Sequence, residues 1–252
     1  MIFGSNALSE KEKRAFFTEI LCSNSAEERL RELARSGELK ELFPEVYAMI
    51  GVTQPPEFHP EGDVFEHTMI MLRHMVFPDP LLGWSVLLHD VGKPLTRSVE
   101  PSGMIRFFGH EEKGAELAEK ILKRFGFEDE DAGVICHAVR NHMRFANVAE
   151  MRPAKVARLI REPFFGMELE LHRLDCISCH GKMGCFDFLL EKCVQTVEEP
   201  GKLVTGRDLL ERGFSEGVVC GKILNEIRIA QLAGVITTRS EALNYIERIK
   251  LL

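Results

Sequence analysis

Apolar positions along this chain recur with the 3.6-residue period of a helix and almost nowhere with the two-residue period of a strand. The segments EKRAFFTEIL and AEERLRELARSGELKELFPE each carry one apolar stripe and are interrupted at Gly37 and Pro44. GDVFEHTMIMLRHMVFP opens on Asp63 with Glu66 three residues later, a capping-box pattern, and stops before Pro78. DPLLGWSVLLHDVG has Asp79 as cap, Pro80 at the first helical position and Gly92 as the expected terminator. HEEKGAELAEKILKRFG is expected to end at Gly126, and DEDAGVICHAVRNHM starts on acids that suit a helix N-terminus. PAKVARLIRE, MELELHRLDCISCH and FDFLLEKCVQTVEE predict three more helices. Pro200-Gly201 marks a break, and a short helix and a helical pair are expected between LVTGRDLLERGF and EALNYIERIKLL. A short strand is the one exception, near GMIRFF. The expected fold class is all-α.

Composition narrows the class. The chain has 252 residues, enough for one large domain or one domain with an appendage, and its 45% hydrophobic share is enough for a packed core. No apolar run is long enough to span a bilayer, and MIFGSNALSEKEKR lacks the pattern of a signal peptide. A cytoplasmic protein with no membrane partner is expected. Seven cysteines, an odd number, then read as free thiols rather than a disulfide framework. The net charge of −7 disfavours a dedicated nucleic-acid binder. One stretch departs from it: Arg140, Arg144, Arg152, Lys155, Arg158 and Arg161 face a single acid, Glu150, and could meet a phosphate or simply form a solvated helix face.

Candidate chemistry sits at His89-Asp90, where an apolar helix stops. The partial negative charge of a helix C-terminus favours a cation. Adjacent helical side chains diverge by about 100° but can still clasp one ion. Nitrogen with carboxylate oxygen is an ordinary ligand set for a transition metal, yet two ligands are too few. The remaining candidates are His67, His110, His137, His142 and Asp175. His74 lies seven residues beyond His67, roughly 10 Å along a helix, so the two do not share an ion. His137 and His142 stand about 140° apart around a helix and do not face one site; His142 is preferred because it leads into the basic stretch. His59, His74 and His172 read as structural or solvent-facing, and His180 has no derivable role. CISCH has the spacing of a c-type haem attachment but no export signal to go with it, so Cys176, Cys179, Cys185 and Cys193 read as thiols of the core.

The order His67, His89-Asp90, Asp175, with HDVGKP at its centre, resembles the HD superfamily of metal-dependent phosphohydrolases. LFPEVYAMIGVTQPPEFHPEGDVFEHT, FFGHEEKGAELA, RLDCISCHG and the segment from LVTGRDLLERGF to EALNYI resemble the carboxy-terminal part of bacterial tRNA nucleotidyltransferase/poly(A) polymerase family proteins. In that family a nucleotidyltransferase head carries a Gly-Ser motif and paired aspartates. Here Gly4-Ser5 is followed by NALSEKEKRAFF without such acids, so the head is expected to be absent.

The resemblance implies an HD-domain helical core at 51–200, connector helices at 1–50 and a small helical tail at 201–252. It implies a divalent metal held by His67, His89, Asp90 and Asp175, with His110 and His142 as candidate second-metal ligands. One or two ions are expected, of manganese, nickel, cobalt or iron, with magnesium or zinc as further candidates. His110, His142 and Asp90 are the expected catalytic residues, and Lys93 and Arg144 the expected phosphate-binding ones. The implied activity is hydrolysis of nucleotide or RNA-derived phosphate esters, as 2′,3′-cyclic phosphodiesters or phosphomonoesters. The alternatives are an RNA-binding or adaptor module, or one half of a split enzyme whose partner is a separate nucleotidyltransferase chain.

Overall fold

The computed structural model describes residues 8–76, 78–196, 201–215, 217–232 and 236–250. The fold is all-α, with one minimal two-stranded ladder. Helix α1 (Glu10–Leu21) starts on a reciprocal capping box between Ser9 and Glu12 and buries Phe17, Ile20 and Leu21. Helix α2 (Ala26–Ser36) buries Leu30 and Leu33 and ends at Gly37, whose φ of +83° suits the left-handed cap. Two short helices follow, α3 (Glu38–Leu42) and α4 (Pro44–Tyr47). Gly4-Ser5 lies outside the described residues.

The loop from 51 to 63 is tied at its base. Thr53 and Asp63 form an isolated antiparallel bridge, Gln54 N–H donates to Gly62 O at 2.9 Å and Val64 N–H to Val52 O at 3.1 Å. Asp63 then caps α5 (Val64–His74), accepting from Glu66 N–H at 2.8 Å. Helix α6 (Pro80–Leu88) has Asp79 as cap and Pro80 at its first position. Every residue from Leu82 to Leu88 is buried, so this helix runs through the interior. Phe17, Phe43, Trp84 and Phe125 pack around it with ring centroids 5.1–6.4 Å apart, and Trp84 Nε1–H donates to Thr18 Oγ1 at 2.9 Å.

The expected helix through Gly92 is shorter than its sequence pattern. It stops at Leu88, residues 89–92 form a turn, and α7 (Lys93–Thr96) begins at Lys93. Gly92 is not a left-handed terminator, since its φ is −79°. A Cβ there would lie 2.2 Å from His110 O and 2.5 Å from Gly114 N. Glycine is required because two backbones touch. Strands β1 (Ser98–Val99) and β2 (Ile105–Arg106) form the ladder near GMIRFF. Helix α8 (His110–Arg124) and α9 (Asp129–Asn141) follow, with Gly126 at φ +69° between them. His142 was expected on the same helix as His137. It lies beyond the end of α9, in a 3₁₀ turn over His142–Phe145.

The remaining helices are α10 (Pro153–Leu159), α11 (Phe165–Ser178), α12 (Gly184–Thr196), α13 (Gly206–Leu210), α14 (Val218–Leu232) and α15 (Arg239–Lys250). Pro200, half of the expected break, lies outside the described residues. The chain packs as two units, Met1–Phe145 with Leu171–Met183, and Ala146–Glu170 with Gly184–Leu252. These boundaries differ from those drawn at 50 and 200. Phe17 of α1 and Phe43 pack directly on Trp84 of α6. In the second unit, Asp208 of α13 closes a capping box on Thr205 and pairs with Arg239 of α15.

Candidate metal centre

Several elements of the first unit bring polar side chains to one cavity of about 350 Å³. Its lining includes His59, His89, Asp90, Lys93, His110, His142, Asp175, Cys179 and His180. His67, fully buried on α5, lies against this group, with its Nε2 3.1 Å from Asp175 Oδ1. A cavity of similar volume in the second unit, between residues 202 and 231, is lined by no histidine, aspartate or glutamate among the described residues.

Local backbone sets three of the imidazoles. His89 Nδ1 is 2.8 Å from Val86 O, His110 Nδ1 2.8 Å from Phe107 O, and His142 Nδ1 2.7 Å from Val139 O. In each case the carbonyl accepts a hydrogen bond from Nδ1–H, which turns Nε2 to the inside. Three unrelated segments thus repeat one device, a histidine folded back on the carbonyl three residues earlier.

Asp90 joins two groups. Its Oδ2 lies 3.2 Å from His89 Nε2 and 2.6 Å from Lys93 Nζ, and its Oδ1 lies 3.4 Å from His110 Nε2 and 3.7 Å from His142 Nε2. Ligating atoms of His67, His89 and Asp90 all fall within 4.8 Å of one another, as do those of Asp90, His110 and His142. A transition metal holds nitrogen and oxygen at ~2.0–2.2 Å, so its ligands stand ~3–4.4 Å apart. The buried atoms His67 Nε2, His89 Nε2 and Asp90 Oδ1 have no properly aligned hydrogen-bond partner. Carboxylates are close to both histidines in distance but lie off the hydrogen-bonding direction. Orphaned buried atoms of this kind are costly unless a cation completes them. The donor set of imidazole and carboxylate fits a divalent transition metal better than calcium.

Charge at the site follows from these distances. Burial alone pushes the Asp90 carboxyl up, but His89, Lys93 and His110 outweigh it and hold the group well below the usual carboxylate range. Burial acts the same way on Asp175, and His67 pulls it well below that range. For His67, burial opposes protonation, yet the adjacent carboxylates of Asp175 and Glu61 raise it to about 9. His110 and His142 move apart. Burial lowers His142 to about 3, while Asp90 overcomes burial at His110 and raises it. Their Nε2 atoms are 3.1 Å apart. Two lone pairs facing at that distance would repel, so one of the two Nε2 atoms carries a proton.

Lys93 was expected to meet phosphate. Its buried ammonium donates to Gln54 Oε1 at 2.6 Å and pairs with Asp90 at 2.6 Å, and the residue lines the cavity. Arg144 is placed differently. Its guanidinium lies 5.0 Å from the Phe145 ring centroid, and it is not among the cavity's lining residues. His172 is buried against Phe145, 5.6 Å between centroids, and 3.6 Å from Cys176 Sγ.

Sequence reasoning missed Glu61 and underrated His59. Glu61 Oε1 lies 2.9 Å from His67 Nδ1 and 2.8 Å from His59 Nδ1. Burial pushes this carboxyl up, but the hydrogen bond with His59 and the adjacent His67 imidazole bring it to about 2. A carboxylate behind a ligating histidine fixes its ring and raises its basicity. The only signal in the sequence was HPEGD, a histidine and a glutamate just ahead of a capped helix. Cys179 lines the cavity, but burial raises its thiol to about 12 and Sγ–H donates to Asp175 O at 3.1 Å, so it is neither thiolate nor free.

Residues 64–169 match the family model described as HD domain. A multifunctional CCA protein of Halorhodospira halophila is 31% identical over 215 residues, covering 81% of this chain and 50% of that protein. An A-adding tRNA nucleotidyltransferase of Deinococcus radiodurans is 29% identical over 245 residues, covering 91% and 56%. A multifunctional CCA protein of Acinetobacter baumannii is 31% identical over 143 residues, covering 56% and 34%. The chain spans about half the length of the curated relatives it matches most extensively.

Proposed function

Residues 64–169 are an HD domain, and from that premise we propose that the protein is a metal-dependent phosphohydrolase acting on nucleotide or RNA-derived phosphate esters. The observation that carries the reading is the pair of buried His/Asp clusters that share Asp90. His67, His89, Asp90 and Asp175 would hold one divalent ion; His110 and His142 would complete a second around the other oxygen of Asp90. A bound divalent ion of this class lowers the pKa of its water and polarises a phosphoryl oxygen.

The chain's own groups do the rest. Asp90 and Asp175 stay ionised and supply the negative charge that a cation needs. With no second ion, His110, whose Nε2 lies 3.1 Å from His142 Nε2, would be the group to pass a proton to a leaving oxygen. Lys93 offers its ammonium to a phosphate oxygen from the cavity wall. Burial of His89, Asp90 and His142 keeps bulk water away from these exchanges. Among the described residues no helix is long and apolar enough to cross a membrane.

The test is hydrolysis of 2′,3′-cyclic AMP and of a generic phosphomonoester by protein reconstituted with manganese, cobalt or nickel, beside Asp90→Asn. Turnover that disappears in the folded variant supports the reading. A folded wild type that binds no divalent ion would overturn it. A second reading, an RNA-binding module, draws on the names of the relatives, which refer to CCA and tRNA. Metal-loaded protein that binds RNA tightly and hydrolyses none of these esters would favour it.

A further inference from the structure

The cavity is lined by two kinds of side chain. His89, Asp90 and His142 are buried and polar; Phe58, Phe108 and Met143 are large, apolar and exposed by 49%, 76% and 48%. Among the described residues three phenylalanines are exposed, Phe58, Phe108 and Phe164, and two of them line this one cavity. Single exposed apolar residues are ordinary, whereas aromatic rings gathered at the mouth of a polar cavity mark a ligand surface.

The chain builds this mouth from the elements that build the floor. Phe107 and Phe108 follow strand β2 directly, and Gly109, at φ +71°, turns the backbone into His110 at the start of α8. The segment that aims His110 therefore also fixes Phe108. Phe58 comes from the tied loop that supplies His59 and Glu61. Cations accompany the rings: Arg106 lies 5.9 Å from the Phe108 centroid while pairing with Glu100 at 3.2 Å, and Lys93 lies 5.5 Å from the Phe107 centroid. A cavity of about 350 Å³ is near the small end of the ~300–1,000 Å³ range of ligand sites, the scale of one small molecule.

We propose that Phe108 and Phe58 form a stacking subsite for a nucleobase, so that the cavity selects phosphate esters that carry a planar aromatic base. The inference rests on the phosphate-ester reading of the same site and adds the part of the substrate that the His/Asp groups do not read. Stacking on an aromatic side chain tolerates any base, because every base presents a π-face. The subsite favours nucleotides over sugar phosphates without choosing among adenine, guanine, cytosine and uracil.

The experiment compares binding of adenosine 2′-monophosphate and ribose 5-phosphate, by calorimetry in cobalt(II)-containing buffer, to wild type, Phe108→Ala and Phe58→Ala. Leu95→Ala is the control, since Leu95 is 66% exposed but outside the cavity. Circular dichroism confirms the fold of each. The expected preference of wild type for the nucleotide is roughly 5- to 100-fold, the size of one base–aromatic contact. Either phenylalanine variant lowers that ratio several-fold, and the control leaves it unchanged. A wild-type ratio near one, or a ratio untouched in both phenylalanine variants, overturns the subsite. The two readings fail separately. A base-dependent ratio without hydrolysis by any metal form sinks the hydrolase and keeps the subsite, while equal hydrolysis of nucleotide and ribose phosphate does the reverse. No binding of either ligand overturns both.

Discussion

Gly92→Ala tests how the site is assembled. The new Cβ would lie 2.2 Å from His110 O, 2.5 Å from Gly114 N and 2.9 Å from Gly114 Cα. Ordinary non-bonded contacts are ~3.5 Å, so the two segments must separate by about 1.3 Å. The obstructing atoms are backbone, and no rotamer change relieves them. Overpacking costs ~1–3 kcal/mol even where side chains can move, so at least about 3 kcal/mol is expected here. For a unit of this size each kcal/mol shifts Tm by ~2–4 °C, which predicts a fall of about 6–12 °C. The strain falls on the contact that brings His110 Nε2 within 3.4 Å of Asp90 Oδ1, so cobalt(II) affinity should fall with it. Gly133→Ala is the matched control. Gly133 is exposed within α9 and a Cβ there meets nothing within 4 Å. Replacing a mid-helix glycine by alanine contributes ~1 kcal/mol, so this variant should melt about 2–4 °C higher. Thermal unfolding followed by circular dichroism decides. A Gly92→Ala protein that melts within 2 °C of wild type, or that shifts in the same direction as Gly133→Ala, would refute the close-approach argument.

Three further outcomes follow from the same geometry. Glu61→Gln removes the negative charge behind His67 and should weaken cobalt(II) binding about 10- to 100-fold with little change in Tm; unchanged affinity in a metal titration would deny Glu61 its positioning role. Lys93→Met removes the buried cation beside Asp90, so a divalent ion meets less repulsion: cobalt(II) affinity should rise while KM for a phosphate ester also rises, and a fall in both would contradict the placement of Lys93. In the second unit, hydrogen bonds from Thr205, opposed by burial and joined by Arg239, hold the Asp208 carboxyl below its usual value. The folded-state pKa is depressed, so its stabilisation is complete above the ordinary carboxylate range and is lost as pH falls through the lower folded value. Asp208→Asn should flatten the acid limb of the unfolding curve, and an unaltered limb would count against the capping-box argument.

The fold was legible because its signals are local. Asp63 with Glu66, Asp79 with Pro80, and the glycines at 37 and 126 act within a few residues, and the helices begin and end close to them. A nearly unbroken apolar run behind Asp79 and Pro80 likewise identified α6, though not its length. Gly92 reads as a helix stop in one dimension, and only the approach of α8 reveals its purpose. The site residues announced themselves where chemistry interrupts an apolar face, as at His89-Asp90 and Asp175. Glu61 and His59 sit in a loop without period, so nothing marked them beyond residue type. Arg144 illustrates the reverse: its position in a basic run pointed to phosphate, while its guanidinium lies over the Phe145 ring and outside the cavity lining. Domain boundaries were the least legible, because α11 serves both units and no composition change marks residue 170.

The single carboxylate at Asp90 makes the centre a linked system. Lys93, His89, His110 and His142 all draw on its two oxygens. Any cation that settles on one side, whether proton, ammonium or metal, alters the field felt on the other. Thermodynamic reciprocity then requires that occupancy of the His67 side change affinity at the His142 side by the same factor as the reverse. Titration curves for this protein should therefore be fitted with an interaction energy between the two sides, not as two independent isotherms.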